Sequence, residues 1–234
     1  MNVALVVFDM AGTTVHDDDA VHVCLQQALR AGGITVSRDQ VNVVMGEPKP
    51  VAIAKLMSNA RGTQVGATDP GVVDLHAHFE ALMIEHYQRS PDVRAVDGAE
   101  IVFHDLRRAG VRVALDTGFS RVIVDAILDR LGWRDDRLLD ATVASDEVQR
   151  GRPHADLIQQ AMHLTGISDA SAVAKVGDTP ADLLSGDAAA CGWVVGITSG
   201  SHTRQQLERY PHTHLIDRLD ELPAVVLGDR AVLV

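Results

Sequence analysis

Residues 3–14 read VALVVFDMAGTT, an unbroken apolar run from Val3 to Phe8 that stops at Asp9. A short run without alternation is what a strand covered on both faces requires, and such strands belong to parallel sheets. Comparable runs recur at Val111–Leu115, Ala141–Ala144, Ala172–Val176 and Trp193–Ile197. Helix-length amphipathic stretches such as Val122–Leu131 lie between them. This alternation predicts an α/β fold with a doubly wound, Rossmann-like parallel sheet.

The pattern changes between residues 16 and 90, where no comparable run occurs and helical signals follow one another. Gly32-Gly33 ends a first helix. Ser37 with Gln40 forms a capping box, and Asp69 before Pro70 places an N-cap ahead of a good first helical residue. The expected organisation is therefore an α/β core of residues 1–15 and 91–234 with an all-helical insert of residues 16–90. The core resumes near Asp92, and Asp97-Gly98 turns the chain into a helix that runs to Gly110.

Composition excludes several classes of partner. The 234 residues are 46% hydrophobic, enough for a buried core, and carry a net charge of -11, which disfavours nucleic acid and anionic membrane surfaces. Met1–Phe8 has neither a basic leader nor the length to span a membrane, so a cytoplasmic protein is expected. Cys24 and Cys191 are too far apart in sequence and too isolated for a disulfide framework or a zinc site, and are expected as small buried side chains. His76, His78 and His86 with Glu80 and Glu85 read as a solvated helix face rather than a metal site. His212 and His214 read as surface residues. Of the 21 basic residues only Lys49, Lys55 and Lys175 are lysines.

Ligands of open α/β sheets sit at the carboxyl ends of the strands. Four polar clusters fall there: residues 9–14 (DMAGTT), 116–118 (DTG), 151–153 (GRP) and 177–182 (GDTPAD). Their order and spacing resemble the four motifs of the haloacid dehalogenase superfamily across nearly the whole chain. The resemblance implies Asp9 as a nucleophile toward phosphorus, with Mg²⁺ screening the repulsion between two anions. Asp9, the Ala11 carbonyl and Asp178 would ligate the metal, and Asp182 would orient that shell. Thr117 and neighbouring amides would hold phosphoryl oxygens, Arg152 would supply fixed positive charge, and Gly12, Thr13, Gly46 and Gly118 would line the substrate.

One departure narrows the chemistry. The superfamily's phosphatases carry a second aspartate two residues after the nucleophile, where this chain has Ala11, so the acid that protonates a departing alkoxide is missing. A carbon leaving group needs an electron sink instead, which a protonated imine provides. Residues 9–14 together with residues 45–49 (MGEPK) resemble the phosphonoacetaldehyde hydrolase family, which has alanine at that position and an imine-forming lysine matching Lys49. Three positions depart from that family: its histidine is Ala52, its cysteine falls at Asp19 and its tyrosine is Phe119.

The resulting expectation is an Mg²⁺-dependent hydrolase that forms an aspartyl phosphate on Asp9. It would cleave the carbon–phosphorus bond of phosphonoacetaldehyde or a related carbonyl phosphonate through a Lys49 imine. The alternatives are a phosphatase or phosphotransferase acting on a small phosphate ester, and a non-catalytic phosphate-binding protein. The resemblance also implies that the helical insert is a cap over the site and that copies pair through it as a homodimer.

Overall fold

The computed structural model describes residues 2–134 and 138–228; Met1, the first residue of the leader reading, lies outside them. Six strands form one parallel sheet among the described residues: β1 (Leu5–Asp9), β2 (Arg112–Asp116), β3 (Ala141–Val143), β4 (Val173–Gly177), β5 (Trp193–Ile197) and β6 (His214–Ile216). Their order is β3-β2-β1-β4-β5-β6. β1 is thus central and buried at all five residues, which is why its sequence is continuously apolar rather than alternating. The five strands expected from apolar runs are present. β6 was not anticipated: it is a three-residue edge strand that begins with exposed His214, too short to print a pattern.

The connections alternate with strands as a doubly wound sheet requires. The core helices are α5 (Ala99–Arg108), α6 (Arg121–Leu131), α7 (Asp156–Thr165), α8 (Pro180–Ala188), α9 (Arg204–Leu207) and α10 (Leu222–Leu227). Before them, and all between β1 and β2, come α1 (Ala20–Ala31), α2 (Arg38–Asn42), α3 (Lys49–Arg61) and α4 (Pro70–Arg89). The expected caps are in place. Ser37 and Gln40 exchange backbone and side-chain hydrogen bonds at 3.2 and 2.8 Å, Asp69 Oδ1 accepts from the Gly71 amide at 2.9 Å, and Gly32 closes α1.

Packing on one side of the sheet centres on Phe8, whose ring meets Phe103 edge-on at 5.2 Å, and Phe103 in turn meets Trp133 at 5.4 Å. Each such fully buried large side chain contributes roughly 1.5–3 kcal/mol through surface removed from water. Both cysteines are free; Cys24 is buried, and Cys191 is half-buried in the turn from helix to strand, packed against the core's edge. No helix of the described residues is long and apolar enough to cross a membrane.

The topology fixes where chemistry can occur. β2 and β4 flank β1 on opposite sides, so the direction of winding reverses there and a crevice opens at the strand ends. Register brings Asp9 opposite Asp116 and Phe8 opposite Val176. The residues following β1, β2 and β4 therefore emerge side by side.

Candidate active site

At that edge four buried carboxylates, Asp9, Asp116, Asp178 and Asp182, face two buried cations, Arg152 and Lys175. Arg152 Nη1 donates to Asp9 Oδ1 at 2.7 Å and lies 2.9 Å from Asp182 Oδ1, while Nη2 bonds the Asp116 carboxylate. Lys175 Nζ bonds the same Asp116 carboxylate and lies 3.1 Å from Asp182 Oδ1. Asp116 and Lys175 were assigned no role from sequence. Lys175 sits inside a run read only as apolar, and a lysine in a strand buried on both faces was itself the available signal.

Charge balance sets the protonation of the group. Burial pushes the Asp9 carboxyl up to about 7, Arg152 opposes it, and the negative charges of Asp182 and Asp178 push further up. Asp178 is raised to about 6, first by burial and then by Asp182. Burial would also raise Asp182, but Arg152 and Lys175 outweigh it and hold this carboxyl below its usual range. Asp9, Asp178 and Asp182 each bring one oxygen within 4.8 Å of the others. An all-oxygen, net-negative set of this kind fits a hard divalent cation such as Mg²⁺. Asp182 is committed to Arg152, Lys175 and, through Oδ2, the Thr179 hydroxyl at 2.6 Å, so Asp9 and Asp178 are the carboxylates left to face an ion.

Local backbone explains the close approach. Gly12 has φ +89°, and a Cβ there would come 2.5 Å from Asp178 Oδ2; only glycine lets this loop lie against the aspartate. Thr13 Oγ1 donates to Asp178 Oδ1 at 3.3 Å, and Thr14 Oγ1 to the Asp9 carbonyl at 2.9 Å. Ala11 is half-buried and its backbone bridges to Val15. Asp178 Oδ2 also accepts from the Ser201 amide and hydroxyl at 2.6 and 2.7 Å. Ser201 was not singled out from sequence, although it follows β5 at the same edge of the sheet where polar residues deserve scrutiny.

The helical segment between β1 and β2 supplies the rest. Its Gly46-Glu47-Pro48 segment is docked on three core loops. A Cβ on Gly118 would strike the Glu47 carbonyl oxygen at 2.6 Å, one on Gly151 would strike the Pro48 ring, and one on Gly46, at φ +81°, would strike Thr179. This contact brings Lys49, the first residue of α3, into the interior at 3% exposure. Its Nζ donates to the Glu47 carbonyl at 3.4 Å and lies 5.2 Å from the centre of the Phe119 ring. Burial lowers its ammonium to about 8, against the opposing pull of Asp9 and with the help of Arg152. A helix-start lysine would ordinarily be solvated; here the docked segment dehydrates it. Thr117 is buried, and its Oγ1 accepts from the Phe119 amide at 3.2 Å.

Clefts flank this closed centre. One of about 750 Å³ is bordered by Gly12, Asp17, His22 and Ser201, and one of about 390 Å³ by Pro48, His76, Ser120 and Arg152. The histidine-rich face of α4 is only partly solvated, contrary to expectation. His78 and Glu85 are exposed, but His76, Glu80 and His86 are half-buried, because α4 packs on the Thr117–Ser120 turn: Phe79 and Tyr87 both meet the Phe119 ring at 6.3 Å, and Ser120 Oγ bonds Glu80. The residues at the three departures differ in setting. Ala52 is fully buried, Phe119 floors the Lys49 amine, and half-buried Asp19, in a left-handed turn, pairs with Arg38 at 2.6 Å.

Comparison with known proteins agrees with this layout. Residues 6–196 match the family model for haloacid dehalogenase-like hydrolases. Phosphonoacetaldehyde hydrolase of Bacteroides fragilis is 26% identical, covering 95% of this chain and 88% of its own length. Phosphoglycolate phosphatase of Cereibacter sphaeroides is 30% identical, covering 93% and 95% respectively. Among solved structures, a phosphonoacetaldehyde hydrolase-like protein from Oleispira antarctica shares the fold with a TM-score of 0.84 at 21% identity, over 97% of this chain and 92% of that one.

Proposed function

The chain belongs to the haloacid dehalogenase-like hydrolase family, and from that premise we propose that it is a Mg²⁺-dependent carbon–phosphorus hydrolase acting on phosphonoacetaldehyde or a related carbonyl phosphonate. The observation that carries the reading is Lys49: a buried amine, lowered to about 8 and within the field of Asp9, in a chain whose second motif carboxylate is Ala11. Similarity to phosphonoacetaldehyde hydrolases along nearly the full chain supports it. In the same reading, residues 16–90 are a cap whose Gly46–Pro48 segment closes on the core, and the enzyme is cytoplasmic.

Asp9 and Asp178, with the Ala11 carbonyl, would hold Mg²⁺, which when bound screens the charge of phosphoryl oxygens and carboxylates. Asp182 fixes Arg152 and Lys175 behind them. Lys49, as the free amine, condenses with the substrate carbonyl to give an imine, whose protonated form draws the electrons of the breaking carbon–phosphorus bond. Asp9, hydrogen-bonded by Arg152, takes the phosphoryl group. Thr117, whose oxygen already accepts from the Phe119 amide, donates its hydroxyl proton to a phosphoryl oxygen, and the Gly118 amide does the same. The enamine left on Lys49 takes a proton at carbon, hydrolysis frees an aldehyde, and water clears the aspartyl phosphate.

A phosphatase reading draws on the 30% identical phosphoglycolate phosphatase. It requires some other group to protonate an alkoxide where Ala11 cannot. Borohydride added during turnover of phosphonoacetaldehyde distinguishes the two. A reduced adduct on Lys49, located by peptide mass spectrometry, is expected; an active enzyme that forms no adduct would overturn the imine reading.

A further inference from the structure

His76 and Glu80 were set aside in sequence as a solvated face, yet both turn inward beside the site. His76 Nε2 faces Glu80 Oε1 at 3.7 Å, and the side chains are 19% and 23% exposed. Ser120 Oγ donates to the same carboxylate oxygen. His76 also lines the cleft of about 390 Å³ bordered by Arg152 and by Pro48 and Pro50, the chain neighbours of Lys49. A titratable ring, a carboxylate beside it and a space walled by the residues on either side of Lys49 thus occur together.

We propose that His76 is the acid–base residue of imine formation at Lys49, with Glu80 as its positioning residue. The inference rests on the imine reading above. Glu80 favours a proton on Nε2, leaving Nδ1 as the basic nitrogen. The Lys49 nitrogen bonds to the carbonyl carbon and the C=O electron pair moves to oxygen. His76 moves one proton from that nitrogen to the oxygen, and a second, taken from solvent through the same ring, completes the water that departs with the C–O pair. The nitrogen lone pair closes the C=N bond, leaving the protonated imine. α4, which carries His76, packs against α3, which begins at Lys49.

The charged groups around His76 suit the role. Burial lowers its pKa, Glu80 and Asp146 oppose the shift, and the Lys49 charge adds to it, so the ring is neutral and basic at pH 7. On the cleft walls Lys55 is paired with Glu47, Arg150 with Asp156 and Arg152 with Asp9; His154 completes the titratable set.

The test is the rate of borohydride trapping at Lys49 with phosphonoacetaldehyde, in the wild type, His76→Ala, His76→Gln and His78→Ala. Loss of the relay predicts trapping slowed about 100-fold or more in both His76 variants, with the pH midpoint of trapping kept near that of the wild type and the exposed His78→Ala unaffected. Added imidazole should restore His76→Ala, because the cleft admits it, and equal ionic strength of sodium chloride should not. Trapping at full speed in the His76 variants, or a slowed His76→Ala that imidazole leaves slow, would overturn the proposal while leaving the imine reading intact. An untrapped wild type would overturn both.

Discussion

Lys49 Nζ stands over the Phe119 ring at 5.2 Å from its centre, a buried amine on an aromatic floor. An ammonium in that place loses hydration that a weak cation–π contact only partly offsets. The folded state therefore binds fewer protons at this lysine than the unfolded chain does between about 8 and its ordinary 10.5. Stability gained from this group rises with pH across that window and is lost as pH falls through about 8. Lys49→Met should accordingly be inactive yet more stable at pH 7, by up to about 3 kcal/mol, as read by denaturant unfolding. Lys49→Arg should also be inactive, since guanidinium makes no imine, whereas exposed Lys55→Arg should retain turnover. A Lys49→Met protein less stable than wild type would count against the buried ammonium.

The same shift predicts a pH profile. Trapping of Lys49 by borohydride at limiting aldehyde should climb about tenfold per pH unit below 8 and level off above it, because the free amine is the reactive form. An unburied lysine would keep climbing past pH 10, and that profile would contradict the assignment.

Asp178 and Asp182 lie four residues apart but should fail differently. Asp178 is held by Ser201 and Thr13 and pairs with no cation among the described residues, so Asp178→Ala should abolish Mg²⁺ binding in calorimetric titration with little loss of fold. Asp182 neutralises Arg152 and Lys175. Asp182→Ala leaves both buried and under-paired, and should cost about 3–5 kcal/mol in unfolding experiments. Equal melting temperatures for the two variants would show that Asp182 does not carry this load.

Ala11 is the position that separates carbon from oxygen leaving groups in this account. Ala11→Asp should raise hydrolysis of p-nitrophenyl phosphate and depress phosphonate cleavage, measured as phosphate release from each. An unchanged ester rate would remove the significance given to Ala11.

The sheet and its motif loops were legible because each motif follows a buried apolar run, and burial leaves a strong, local mark on composition. Helices α1, α2 and α4 between β1 and β2 were legible from their caps. What stayed hidden depends on contacts between distant segments. Resemblance pointed to Lys49, but its burial follows only from Gly46–Pro48 meeting Gly118 and Gly151. Asp116 and Lys175 gain meaning only as partners, and the inward turn of His76 and Glu80 follows from where α4 docks on Phe119 and Ser120, which helical periodicity alone does not specify. β6 escaped because an edge strand of three residues carries almost no pattern.

Phosphate release with Mg²⁺, compared between phosphonoacetaldehyde and the esters p-nitrophenyl phosphate and 2-phosphoglycolate, tests the central claim most directly. Cleavage of the phosphonate should exceed that of either ester by at least about 100-fold in kcat/KM, a transition-state difference of roughly 3 kcal/mol, and Lys49→Arg should abolish it. Faster release from an ester, with Lys49→Arg still active, would contradict carbon–phosphorus cleavage and make this chain a phosphatase.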